Sequence, residues 1–257
     1  MEDKIIGTGF LPPVFEPEAY FLGSSPIPQK VLEPLGDWTD SLPTDEPQSL
    51  RGIETSNCTA FGTTNQIEQY EFKAFGERNN YSDRWLGIVA GTTPVGNDPQ
   101  KVYEAVRKFG LIPEAMLPFR DDFQTAEEYY SFKGADMDAC YVEGKRWLEQ
   151  KSFLHEWVFG PDATNKPEKM KTALQYSPLA LAVNAWTLRD GKYVAIGNEN
   201  HWTTCFNFNG LEKIFDSYDP FRKIVDQPVH FCKRIHLEKR TPKGRRWFQR
   251  WIQEILR

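Results

Sequence analysis

The order of periodicities along the chain restricts the fold more than any other feature: helical patterns come first and alternating patterns come last. Residues 58–75 carry apolar side chains at helical spacing, with Phe61, Ile67 and Phe72 as core candidates. A second helix is expected from Asp98-Pro99 to Phe109, opened by a capping aspartate and a first-turn proline and stopped by Gly110. Thr125 to about Trp157 reads as one or two helices, with Tyr129, Tyr130, Phe132, Trp147 and Leu148 as apolar candidates. After a short helix around Glu168–Leu174, strand patterns dominate from Leu179 to about Ile235. Helices followed by strands predict an α+β protein of two lobes, not an alternating βαβ fold. The expected organisation is an extended N-terminal arm or short pro-like segment (1–37), a helical lobe (38–124), a helical insertion (125–160), a β lobe (161–235) and a basic amphipathic C-terminal helix (236–257).

A chain of 257 residues, 40% hydrophobic and 14% aromatic with 8 Trp, has enough apolar surface for a substantial core. The acidic start Met1-Glu2-Asp3 lacks the basic flank and apolar run of a signal peptide, and no stretch approaches the length of a membrane span. Four cysteines do not form a disulfide framework, so free thiols in a reducing compartment are expected. A cytoplasmic or virion-associated location fits, as for a virus-encoded protein made in a host cytoplasm. The net charge of −5 conceals a basic end: residues 233–257 hold nine Lys and Arg against Glu238 and Glu254. There Trp247, Trp251 and Ile255 recur at helical spacing, a face suited to packing on the body or docking a protein partner, with nucleic acid the weaker expectation.

Chemistry concentrates at Cys58. The polar run Thr55-Ser56-Asn57 ahead of a helical pattern reads as an N-cap, which places the thiol on the first turn, where unpaired N–H groups and the helix dipole favour a thiolate. Such a nucleophile needs an imidazole, and the imidazole an orienting group. His201 opens the alternating segment His201-Trp-Thr-Thr-Cys-Phe-Asn-Phe208, with Trp202, Phe206 and Phe208 expected on one face and His201 opposite. After the turn Asn209-Gly210 the chain returns to Asp216, which a hairpin would set beside His201.

At these residues the chain resembles the papain-like cysteine peptidases. Ser56-Asn57-Cys58-Thr59-Ala60-Phe61 is similar to that family's nucleophile segment, Asn200-His201-Trp202 to its general-base strand, and Asp216-Ser217-Tyr218 to its Asn-Ser-Trp. The separation of Cys58 from His201 falls in the roughly 130–150 residues found for papain-type enzymes. Between these anchors, 96–119 resembles the helix and turn of the helical half, and Ser177–Val183 the first long strand. The resemblance implies a papain-like two-lobe fold, peptide or isopeptide hydrolysis by a Cys58–His201–Asp216 triad, and no cofactor or metal. It departs at the oxyanion-hole glutamine, whose expected position is Gly52. The nearest upstream glutamine, Gln48, is the candidate donor if an insertion in the 48–58 loop returns it to the site; otherwise it is a solvated loop residue.

No Gly-x-Ser-x-Gly elbow, phosphate-binding Gly-Lys-Ser/Thr loop or His-Glu-x-x-His helix is present. His230, Cys232 and His236 are metal-capable types at a spacing that matches no standard zinc pattern. The substituted glutamine position and the Asp-for-Asn exchange leave a second expectation open: an inactive structural or interaction protein on the same fold, such as a virion component.

Overall fold

The computed structural model describes residues 9–15, 21–22 and 26–240. Its central element is helix α1 (Cys58–Phe75), followed by α2 (Asp83–Val89), α3 (Pro99–Phe109), α4 (Ala126–Tyr129), α5 (Met137–Gln150) and α6 (Lys166–Leu174). Strands β1 (Ser49–Leu50) and β2 (Ile53–Glu54) form a small hairpin just before α1. The remaining strands are β3 (Lys151–Phe159), β4 (Leu179–Val183), β5 (Thr187–Arg189), β6 (Lys192–Val194), β7 (His201–Phe208), β8 (Glu212–Phe215), β9 (Arg222–Asp226) and β10 (Cys232–Lys239). They make one sheet in the order β3-β10-β4-β7-β8-β9-β6-β5, antiparallel throughout except where β6 pairs with β9. This is the α+β arrangement expected, a helical half ahead of an antiparallel half.

Helix α1 is buried on every side from Cys58 to Glu71, so the apolar spacing read over 58–75 does not mark a single core face. It lies between α2 and α3 on one flank and the sheet on the other, which leaves no face for water. Several of its polar residues are therefore bonded internally: Thr63 Oγ1 donates to Thr59 O at 2.7 Å, and Gln66 Nε2 to Pro178 O at 2.7 Å. Gly62 marks the closest approach, because a Cβ there would stand 2.8 Å from Trp202 Cδ1. The sheet separates two apolar clusters. One, with Tyr70, Trp157, Trp202 and Ile235, faces α1; the other, with Leu174, Leu181, Val183 and Phe215, faces α6. Strands β4 and β7 lie between them, which explains the uninterrupted apolar run Leu179–Val183.

Four further expectations change. The helical pattern expected to run to Trp157 stops at Gln150, and residues 151–159 form β3, paired along its length with β10. Lys151-Ser-Phe-Leu-His-Glu-Trp-Val-Phe159 is buried on both faces over its second half, so its apolar residues show neither period cleanly. Phe206 does not share a face with Trp202: a bulge between Cys205 and Asn207 turns it into the α6-side cluster. The basic end begins later than its composition suggests. Lys233 and Arg234 are buried in β10, with Arg234 paired to Glu156, and residues 236–239 are strand, not helix. The remainder of the expected C-terminal helix, including Trp247 and Trp251, lies outside the described residues.

The described part of the N-terminal arm is strapped along the body. Leu22 N–H donates to Trp157 O at 2.8 Å and Leu32 N–H to Gln175 O at 2.9 Å, while Phe15 packs edge-on against Trp157. Trp38 is fully buried, its Nε1 donating to Leu174 O at 2.7 Å. Among the described residues no helix is long and apolar enough to cross a membrane. All four cysteines are free and buried.

Candidate active site

Cys58 is the first residue of α1, and Asn57 is its N-cap by position only. The Asn57 side chain turns away and donates to Asp83 O at 2.9 Å and Tyr129 Oη at 2.8 Å, so it caps no first-turn N–H. The expected capping hydrogen bond is thus not made, and the helix dipole at the thiol is not screened by a side-chain oxygen of residue 57.

His201 begins β7 and Asp216 follows β8 directly, so the hairpin brings them together. His201 Nε2 and Asp216 Oδ1 are 2.5 Å apart, both side chains fully buried. The other ring nitrogen, Nδ1, has no partner in hydrogen-bond geometry. Burial by itself would push the His201 imidazole down, yet the Asp216 carboxylate and the Cys58 sulfur beside the ring raise its pKa to about 10. Asp216 in turn is held below the ordinary carboxylate range: burial opposes this, but His201 and Lys223 outweigh it. Cys58, His201 and Asp216 therefore meet at one point.

Gln48 also reaches this cluster. Arg51 and Gly52, both at positive φ, form the two-residue turn of the β1–β2 hairpin, which folds back on itself and leaves Gln48 beside Ser217. Its N–H donates to Ser217 O at 3.0 Å, and Ser217 Oγ donates to its Oε1 at 2.6 Å. The Gln48 amide is nevertheless engaged: Nε2 lies 2.8 Å from Glu54 Oε1 and 2.6 Å from Tyr218 Oη. Glu54 Oε1 also accepts from Ser56 N–H at 2.8 Å, and Glu54 Oε2 from Tyr218 Oη at 2.7 Å. The solvated alternative for Gln48 is excluded by its complete burial.

Three participants were missed from sequence. Glu54 stands two residues before Ser56, in a strand too short to show a pattern. Lys223 lies under Asp216, its Nζ 2.5 Å from Asp216 Oδ2. Gly9 belongs to the arm, and a Cβ on it would stand 2.2 Å from Ser56 O and 2.9 Å from Cys58 Sγ, so the arm's backbone passes directly over the thiol. It is held there by Asn97 N–H donating to Gly9 O at 2.9 Å and Phe10 N–H to Asn200 O at 3.2 Å. Cys58 and His201 are both fully buried beneath it. The sequence signal for Gly9 was weak, one small residue ahead of Phe10-Leu11-Pro12-Pro13.

His230, Cys232 and His236 do not converge. His230 pairs with Glu199, His236 bonds Tyr70 and Glu238, and Cys232 is buried in β10. Among the described residues no group of three His, Cys, Asp or Glu side chains is arranged to hold a metal ion.

By sequence, no family model and no curated relative matches the chain. By structure, it is similar to xylellain, a cysteine protease from Xylella fastidiosa, at TM-score 0.61 and 13% identity, covering 91% of this chain and 96% of that one. It is similar to the proform of Amb a 11, a ragweed pollen cysteine protease, at TM-score 0.55 and 17% identity over 83% of this chain and 68% of that one. Digestive procathepsin L 3 of Tenebrio molitor gives TM-score 0.54 and 12% identity over 84% and 72%. These likenesses carry no support for a viral origin. The fold of this chain is that of the papain-like cysteine proteases.

Proposed function

We propose that this chain is a cysteine-dependent peptidase acting through Cys58, His201 and Asp216. The observation that carries the reading is the buried His201 ring, fixed through Nε2 to Asp216 and leaving Nδ1 for the sulfur at the start of α1. The Cys58 sulfur attacks the carbonyl carbon of a peptide bond, and the carbonyl π electrons move to oxygen. That oxyanion is received by first-turn N–H groups and by Gln48 once Glu54 has moved aside. The imidazolium of His201 protonates the departing amine as the C–N bond breaks, which leaves a thioester. Water then attacks with His201 taking its proton, and the acid is released with the thiol restored. Protein or peptide substrates follow from this chemistry, and isopeptide bonds are open to the same steps.

A second reading has its own support. Gly9 covers the thiol and Glu54 occupies the Gln48 amide, as in a protein that keeps the fold for interaction alone. The two part in one experiment: an epoxysuccinate thiol-protease inhibitor applied to the full chain and to Gly9→Val, with Cys58→Ala and His201→Ala controls, read by intact mass. Labelling confined to Cys58, dependent on His201 and faster in Gly9→Val, supports a latent peptidase. No labelling of a folded Gly9→Val protein overturns the peptidase reading in favour of the second.

A further inference from the structure

We propose that Lys223 is a positioning residue for His201, acting through Asp216 as a charge-compensated Asp–Lys unit. This rests on the peptidase reading above for its catalytic meaning, though not for its geometry. Strand β9 reads Arg-Lys-Ile-Val-Asp, and its two apolar residues fall on opposite faces, so either register buries one branched aliphatic. The fold buries Val225 together with Lys223, which is 4% exposed, and leaves Ile224 43% exposed. A one-residue slip would exchange Val225 for Ile224 inside and release the ammonium to water. The register instead puts a cation beneath the orienting carboxylate.

All three ammonium donors are used. Nζ donates to Asp216 Oδ2 at 2.5 Å, to Tyr218 O at 2.6 Å and to Pro220 O at 2.6 Å. The Trp186 ring, 4.8 Å away, and the Tyr193 ring, 5.7 Å away, close over it. Trp186 also packs edge-on against His201, so one indole spans both cations. The bonds to residues 218 and 220 hold the backbone just after Asp216 and so set the direction of its carboxylate. The titratable and charged groups facing this unit are Asp216, His201, Cys58, Asp219, Tyr193 and Tyr218.

The chemical consequence is a balance. An imidazolium bonded to a lone buried carboxylate holds its proton tightly and gives it up poorly to a leaving amine. Lys223 draws off part of the carboxylate's field, so Asp216 orients the ring while the ring stays acidic enough to donate. With a thiolate at Cys58, the four buried charges sum to zero. Lys223 also accounts for an aspartate being tolerated where a neutral amide would orient the ring without a counterion.

The test is the titration of the His201 imidazole by NMR on the full chain in a Cys58→Ser background, which removes the sulfur's charge and separates the result from turnover. His201→Gln assigns the resonance. Lys223→Gln, which keeps a donor and loses the charge, is expected to raise the His201 midpoint by about one pH unit, with Lys223→Arg staying near the parent. If Lys223→Gln does not fold, the neutral Lys223→Met with Asp216 retained takes its place, and a His201 midpoint above the parent's supports the proposal. An unchanged midpoint in a folded variant overturns it. A shifted midpoint together with no inhibitor labelling of Cys58 in a folded Gly9→Val protein retires the peptidase reading and leaves the positioning role standing.

Discussion

Glu54 and Gln48 set the terms at the residue scale. The Glu54 carboxylate accepts from Gln48 Nε2, the service an oxyanion would otherwise receive. Glu54→Ala is therefore expected to raise the turnover of a peptide substrate, about tenfold, and Gln48→Ala to lower it by roughly 10²–10³. A less active Glu54→Ala protein of unchanged melting temperature would show that Glu54 aligns the amide rather than occupying it. His201 supplies a pH signature. Its folded pKa of about 10 lies above its unfolded value near 6.5, so its contribution to stability is complete below about pH 6.5 and is lost as pH rises toward 10. That contribution is on the order of a few kcal/mol. Urea unfolding between pH 6.5 and 10 should show this loss in the parent and a smaller one in His201→Gln.

Elements matter through how closely they approach. Helix α1 can touch β7 only because residue 62 has no side chain. Gly62→Ala should cost about 1–3 kcal/mol through overpacking against Trp202, read as a lower denaturation midpoint with an unchanged m-value. Strands β3 and β10 are joined across the sheet by the buried Arg234–Glu156 pair. Arg234→Met leaves Glu156 charged and without its partner, and a loss of about 3–5 kcal/mol is expected, with recovery in the double variant Arg234→Met, Glu156→Gln. Recovery failing in a folded double variant would place the effect in lost packing rather than charge.

For the whole molecule, acidity is concentrated inside the helical half. Glu46, Glu68, Asp83 and Glu114 lie within one another's fields, and burial followed by mutual repulsion raises Glu68 and Asp83 well above the carboxylate range. Glu114 is raised to about 8 by the same causes. A carboxyl with a raised folded pKa stabilises below its unfolded value and loses that contribution as pH climbs through the folded one. Stability is therefore expected to decline between about pH 4.5 and 8, and Glu114→Gln to flatten the decline; an equally steep curve in that variant would assign the slope to the other carboxyls.

By itself the sequence determined the order of halves, the capped α3, the helix beginning at Cys58 and the hairpin that joins His201 to Asp216. Each depends on contacts within a few residues, or within one turn, and so leaves a local pattern. Tertiary structure alone decided the rest. Residues 151–159 became strand because a long partner, β10, was available to pair with them. Lys223 turned inward because Asp216 offered a counter-charge, the choice between burying Val225 and burying Ile224 being close to neutral. Gln48 was legible only as a candidate, since its place beside Ser217 depends on an Arg51-Gly52 turn and on a residue far along the chain. The cover over the thiol was least legible of all. Gly9 lies there because no other residue type fits between Ser56 and Cys58, and a single glycine in an irregular arm carries no periodicity to announce it.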